Sequence, residues 1–277
     1  TAYVKPNLAP RTAEGYEHIL RRHVIPSLGN VALKDLKPQH LQRYYAEKLE
    51  SGRKDGKGGL SPRTVRHHHV TLHDALKSAV KWGLIARNPA DAVDIPRYQR
   101  KDMHTLDEAG LSALLEAAKD TQYYALFYTA LFTGMRCSEL LALRWEDIDL
   151  DLAQLSVSRS LHHLRTGETV FRAPKTAKGR RQVALPPSAA LVLLQHRAAQ
   201  DTIAKALGKN TTAGSDLVFC NTDDTPILPD TFTHAWIKTA RRAGFQGIRL
   251  HDARHTHATL LLKQGVHPKI VQERLGH

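Results

Sequence analysis

Four short stretches of the sequence hold side chains able to bind an anion or move a proton. The first is Thr133-Gly134-Met135-Arg136-Cys137-Ser138-Glu139-Leu140-Leu141-Ala142-Leu143, where an arginine follows a glycine break and Glu139 comes one helical turn later. Taken alone, Arg and Glu at i, i+3 is the spacing of an ordinary surface ion pair. The second, His251-Asp252-Ala253-Arg254-His255-Thr256-His257-Ala258-Thr259, is a dense run of cationic and proton-transferring groups opening a helix, with His251 and Arg254 on one face. His251 and His255 at i, i+4 also have the spacing of a zinc hydrolase, but no glutamate follows the first histidine and no third ligand is evident. No metal site is therefore expected. The third is Leu275-Gly276-His277, where glycine is an ordinary helix C-terminal signal. The fourth, Ala173-Pro174-Lys175-Thr176-Ala177-Lys178-Gly179-Arg180-Arg181, reads as a basic strand-turn-strand segment.

These stretches need elements to position them. From Pro10 to about Pro96 the pattern is helical: Ile19, His23 and Val24 share a face of a helix that Pro26 ends, Leu41, Tyr45 and Leu49 mark a second, and Val65, Leu72, Leu76 and Val80 a long third. Ser61-Pro62 supplies an N-cap and a first-turn proline, Asn88-Pro89 a stop, and the Gly- and Lys-rich interval 51–59 a loop. The run His67-His68-His69 falls within the third helix, split between its core and surface faces. A polar, basic linker, 97–104, then separates a helical domain, 1–96, from a mixed domain, 105–277. In the latter, Thr105 and Glu108 form a capping box before Leu111, Leu114, Leu115 and Ala118, and 123–145 reads as helical. Gln154–Ser160, Thr169–Ala173 and Gln182–Leu185 have strand composition, suggesting a hairpin or three-stranded meander.

With 40 Lys+Arg against 27 Asp+Glu, the 277-residue chain carries a formal charge of +13, which points to a polyanionic partner, nucleic acid first. No hydrophobic segment is long enough to span a bilayer, and no basic amphipathic anchor or secretory signal is present, so the expectation is a soluble, cytoplasmic protein. Two cysteines, Cys137 and Cys220, are too few for a disulfide framework. Thr1 without a preceding methionine, and a last residue directly after Leu-Gly, suggest a fragment of a longer product.

Order and combination change the weight of these stretches. An arginine in T-G-x-R-x-x-E-L-x-x-L, a lysine in a β-hairpin, H-x-x-R-H-T and then L-G-H together resemble the tyrosine recombinases, or phage integrases. The S-P-R-T-V segment at 61–65 is similar to part of that family's core-binding domain. The resemblance covers nearly the whole chain. It implies a mainly α fold with a small β-sheet: a helical, SAM-like core-binding domain followed by a mixed α/β catalytic domain, clamped on duplex DNA. The implied reaction breaks a phosphodiester with a tyrosine, leaving a 3′-phosphotyrosyl link and a free 5′-hydroxyl, without metal or other cofactor. Carried over residue by residue, Arg136 and Arg254 neutralise the pentacoordinate phosphorus and Lys175 is the general acid, with Lys178 as its rival. His251 assists proton transfer, His277 binds the scissile phosphate and Glu139 buttresses Arg136. Arg63, Thr64 and Arg66 at the start of the third helix, with Arg180 and Arg181, are the expected DNA contacts. The implied partners are double-stranded DNA with inverted half-sites, other copies in a tetramer, and an excisionase or DNA-bending protein. The family's nucleophile lies just downstream of L-G-H, and none of the eight tyrosines matches that position. The fragment is thus expected to bind DNA without cutting it. The alternative is a degenerate relative that only binds.

Overall fold

The computed structural model describes residues 8–99, 103–174, 179–208 and 216–276. It consists of two compact units that divide between residues 101 and 102, inside the interval 97–104. None of the described helices is long and apolar enough to cross a membrane.

The first unit is helical. Helix α1 (Pro10–Ile19) runs through a π-helical turn (Leu20–Val24) into α2 (Ile25–Leu28), so the chain stays helical past Pro26, contrary to the sequence expectation. A proline inside a helix removes one i→i−4 bond and crowds the carbonyl four residues back, and a widened turn just before it accommodates both. Helix α3 (Pro38–Ser51) buries Leu41, Tyr44, Tyr45 and Lys48 against Val65, His68, His69, Leu72, Leu76 and Ala79 of α4 (Pro62–Lys81). Lys48, not Leu49, completes the buried stripe. Its ammonium lies over the Tyr44 ring, with Nζ 5.3 Å from the ring centre and 2.7 Å from Glu47 Oε1, whereas Leu49 is exposed. Ser61 Oγ accepts the Thr64 N–H at 3.2 Å and so caps α4. The α3–α4 seam is closed by two buried polar pairs, Tyr44 Oη to His68 Nδ1 at 2.9 Å and Tyr45 Oη to His69 Nδ1 at 3.0 Å. Each pair supplies a partner to groups that would otherwise be buried unsatisfied. His67 points outward.

The second unit is α/β. Helix α5 (Glu108–Ala118) is capped by Asp107, whose carboxylate accepts the Gly110 N–H at 2.8 Å, and not by Thr105. An aspartate one residue before the first helical turn reaches that donor directly. The apolar run after it divides into α6 (Tyr124–Thr133), a break at Gly134 and the short α7 (Cys137–Leu140). Strands β1 (Ile148–Asp149), β2 (Gln154–Val157) and β5 (Arg181–Ala184) form one antiparallel sheet in the order β1-β2-β5. Strands β3 (Ser160–His163) and β4 (Thr169–Arg172) form a separate hairpin. Of the two expectations, the hairpin is formed by β3 and β4, while the strands do not run as one three-stranded meander: the run 154–160 breaks after Val157, and β5 returns to pair Val157 with Arg181. Leu155, Val157 and Val183 point inward from the first sheet, as strand alternation requires. They join a core with Phe127 of α6, which stacks on Phe232 and meets Trp236 edge-on, both from α9 (Pro229–Arg242). Helix α8 (Pro187–Ala206) adds Ala189 and Leu193. Helices α10 (Leu250–Lys263) and α11 (Pro268–Leu275) follow.

Candidate active site

The Thr-Gly-x-Arg-x-x-Glu segment is a helix stop followed at once by a helix start. Gly134 ends α6 in the left-handed region, φ 64°, and a β-carbon there would lie 2.7 Å from both His257 Cδ2 and Leu275 Cδ2. Only glycine fits both the backbone and the space. Arg136 then stands before the first turn of α7, and Glu139 Oε2 accepts its backbone N–H at 2.9 Å, the reach of a capping-box glutamate. The same carboxylate receives Arg136 Nη1 on Oε1 at 2.7 Å.

Helix α10 opens in the same manner. Asp252, fully buried, accepts the Arg249 backbone N–H and its Nη2, each at 2.8 Å. That start directs Arg254 inward, to 3% exposure, where Nη1 donates to the Gly134 carbonyl at 2.8 Å and Nη2 to the Leu275 carbonyl at 2.5 Å.

The end of α11 gathers the cations. Gly276 ends the helix at φ 69°, and three consecutive carbonyls there each accept a different arginine. The Arg274 carbonyl takes Arg181 Nε at 2.7 Å, that of Leu275 takes Arg254, and that of Gly276 takes Arg136 Nη2 at 3.2 Å. The last carbonyls of a helix lack intrahelical donors and lie at its negative pole, which suits guanidiniums. Arg274 itself reaches back, giving Nη2 to the Ala184 and Phe132 carbonyls at 2.7 and 3.2 Å and Nε to His257 Nε2 at 3.0 Å.

The electrostatics are unbalanced. Around four arginines, 136, 181, 254 and 274, Glu139 pairs directly with two, Arg136 and Arg181, and acts through space on Arg254, whereas Arg274 is held by the Phe132 and Ala184 carbonyls and His257. Burial pushes the Glu139 carboxyl up, but the Arg181 fork and the Arg136 donors outweigh it, so the group stays below the usual carboxylate range. Burial first, and the neighbouring Arg136 second, push the Arg254 guanidinium down to about 10, so it remains a cation at neutral pH. A cluster of this kind accepts an anion with several charged oxygens, the geometry guanidinium forks match.

Arg136, Glu139 and Arg254, separate in sequence, are therefore brought together. His251 stands exposed at the start of α10, its ring edge-on to His255 at 4.8 Å. Partial burial, His255 and Arg254 lower its proton affinity, favouring a neutral imidazole able to accept a proton. No group of three His, Cys, Asp or Glu that could hold a metal forms among the described residues. Lys175, Lys178 and His277 lie outside the described residues. Arg180 is exposed, as are Arg63 and Arg66 on α4 of the first unit, while Thr64 is half-buried with its hydroxyl 2.8 Å from Ser61 Oγ. Arg181, expected on the DNA side, has a side chain only 6% exposed, turned inward by Glu139 and the α11 carbonyl. Arg274 and the three carbonyls were not anticipated. A backbone acceptor leaves no trace in residue type, and Arg274 occupies a helix position that reads as surface.

The sequence pattern of the phage integrase family matches residues 104–277, the whole of the second unit but its first two residues. The chain belongs to the phage integrase family. The pattern of the phage integrase N-terminal SAM-like domain matches residues 1–49 of this integrase-family chain. Among curated relatives, an integrase of Streptomyces ambofaciens is 30% identical over 273 residues, spanning 96% of this chain and 68% of its own length. The ICEBs1 integrase of Bacillus subtilis (strain 168) is 28% identical over 270 residues, spanning 97% of this chain and 71% of its own. The fold is that of solved integrases. It matches the Tn1549 transposon integrase in complex with a circular intermediate DNA at a TM-score of 0.80, with 20% identity and 99% and 87% of the two chains covered. A lambda integrase dimer bound to a COC′ core site matches at 0.70, with 19% identity and 99% and 90% covered.

Proposed function

We propose that this chain is the core-binding and catalytic part of a site-specific DNA recombinase. The observation that carries the reading is the arginine cluster at the end of α11, where Arg136 and Arg181 share the Glu139 carboxylate, Arg254 is held by backbone carbonyls, and Arg136 is 39% exposed at the edge. The net charge of +13 and relatives named integrase and tyrosine recombinase support DNA as the polyanion.

In this reading a tyrosine oxygen attacks the scissile phosphorus, forming the 3′-phosphotyrosyl bond as the bond to the 5′-oxygen breaks. The leaving oxygen takes a proton and departs as a 5′-hydroxyl. Arg136 and Arg254 bind the non-bridging oxygens and stabilise the charge that builds on them. His251 holds or relays a proton at the edge of the site, Lys175 donates one to the leaving oxygen and His277 adds a donor to the phosphate. Arg63, Arg66 and Arg180 contact the DNA backbone. None of the eight tyrosines in this sequence is assigned as nucleophile, so cleavage requires a tyrosine supplied from outside it. The DNA carries inverted half-sites and is synapsed by a tetramer, with an excisionase or DNA-bending protein setting direction. The setting is the bacterial or phage-infected cytoplasm, at the nucleoid.

The test is to incubate the full gene product with a nicked duplex carrying its attachment sequence. An SDS-resistant protein–DNA adduct is expected. Arg136→Ala should lower its rate of formation by on the order of a hundred- to a thousandfold with duplex affinity kept. Adduct formation near the parent rate in that variant refutes the assignment. Salt-sensitive binding to a verified site with no adduct from the unaltered protein instead makes the chain a binding-only relative.

A further inference from the structure

We infer that Arg181 is a positioning residue that sets the reach of both phosphate-binding arginines. It sits at the first position of β5, and its buried side chain ties that strand to two other elements. Toward α7 it offers a fork to Glu139, with Nη1 3.2 Å from Oε1 and Nη2 2.8 Å from Oε2. Toward α11 its Nε donates to the Arg274 carbonyl at 2.7 Å.

Both ties lead to the site in one further step. The Glu139 carboxylate accepts four donors, two from Arg181 and two from Arg136, which fills its acceptor capacity and leaves it a single orientation. That orientation fixes where the Arg136 guanidinium stands. On the other side, the carbonyl that Arg181 grips is followed in the chain by the Leu275 and Gly276 carbonyls, which hold Arg254 and Arg136. Lysine at 181 keeps the buried charge but cannot make a bidentate fork and a third bond in one plane. With its side chain 6% exposed and its donors on Glu139 and the Arg274 carbonyl, Arg181 acts through those groups.

The inference rests on the proposed phosphodiester reaction, and its test separates the two. In the full gene product, Arg181→Lys is compared with the unaltered protein in single-turnover cleavage at saturating DNA. The rate is expected to fall by roughly a hundredfold, the scale of one lost charge-stabilising donor, with duplex affinity within about threefold. Arg136→Ala, measured alongside, should behave likewise. The same comparison on a duplex with a methylphosphonate at the scissile position removes one oxygen's negative charge, and with it part of the demand for a guanidinium. There the loss caused by Arg181→Lys should shrink to below about tenfold. A rate near the parent's, or an equal loss on both duplexes, overturns the positioning role. Should the unaltered protein cleave nothing, the recombinase reading fails, and the inference is still read from thermal unfolding of Arg181→Lys, Arg136→Met and the double variant. Coupling through Glu139 requires the double variant's shift in Tm to differ from the sum of the single shifts. Additive shifts overturn it.

Discussion

Replacing Gly134 by alanine should destabilise the second unit and disarm the site together. The backbone at 134 has φ 64°, and an L-residue held in the left-handed region costs roughly 1–2 kcal/mol. The added methyl would lie 2.7 Å from His257 Cδ2 and Leu275 Cδ2, well inside contact distance, and inserting a methyl into a packed interior costs about 1–3 kcal/mol more. The expected total is roughly 2–5 kcal/mol. The neighbours cannot yield without consequence, because Leu275 and Gly134 supply the two carbonyls that hold Arg254. Gly244→Ala is the control: φ is 86° there, but nothing lies within 4 Å of the new methyl, so only the backbone cost applies. Urea unfolding in a Trp82→Phe background, followed by the emission of the remaining Trp145 and Trp236 of the second unit, measures both variants. A Gly134→Ala loss no larger than that of Gly244→Ala would refute the packing argument.

Acid should weaken both units through buried neutral histidines. Burial first, then His23, Lys48, His67 and His18, push His68 from 6.5 down to about 4, and burial with Arg274 does the same to His257. The unfolded chain therefore takes up protons before the folded one does, so stability is full above about pH 6.5 and falls as the pH drops toward about 4, by roughly 3 kcal/mol for each fully buried imidazole. Urea midpoints measured down that range check it, and His68→Gln should flatten the dependence of the first unit. Ser61→Ala removes the acceptor for the Thr64 N–H and should cost about 1 kcal/mol in thermal unfolding of the first unit, with Ser61→Gly losing less. Arg63→Ala and Arg66→Ala should each reduce the slope of log affinity against log salt by about one, uniformly across DNA sequences, if these exposed side chains meet phosphates.

Local pattern made much of this protein legible. The apolar spacing of 65, 72 and 76 and the Ser61 cap define α4 directly, because a helix records its buried face in residues three and four apart. The motif order placed Arg136, Glu139 and Arg254 in one site, and the Arg-x-x-Glu spacing is a local capping interaction that needs no distant partner. The departures from pattern are local too. Asp107 outcompeted Thr105 as a cap because it stands one helical start closer, and Lys48 took the core position of Leu49 because its stem is apolar enough to be buried.

Tertiary structure decided what each charge does. Arg181 reads as one more basic residue beside a turn, yet its partners lie 42 and 93 residues away, and the carbonyls that hold Arg254 and Arg136 lie up to 120 and 140 residues away. Its placement follows from β5 pairing with β2, which carries position 181 to the glutamate of α7. The sequence by itself determined the motif residues Arg136, Glu139 and Arg254 and the helices that bear them. Which arginine stays exposed was decided only at the end of α11, where Arg136 keeps 39% of its side chain exposed while Arg181 and Arg254 are buried on backbone carbonyls, because backbone acceptors and burial are properties of the folded chain.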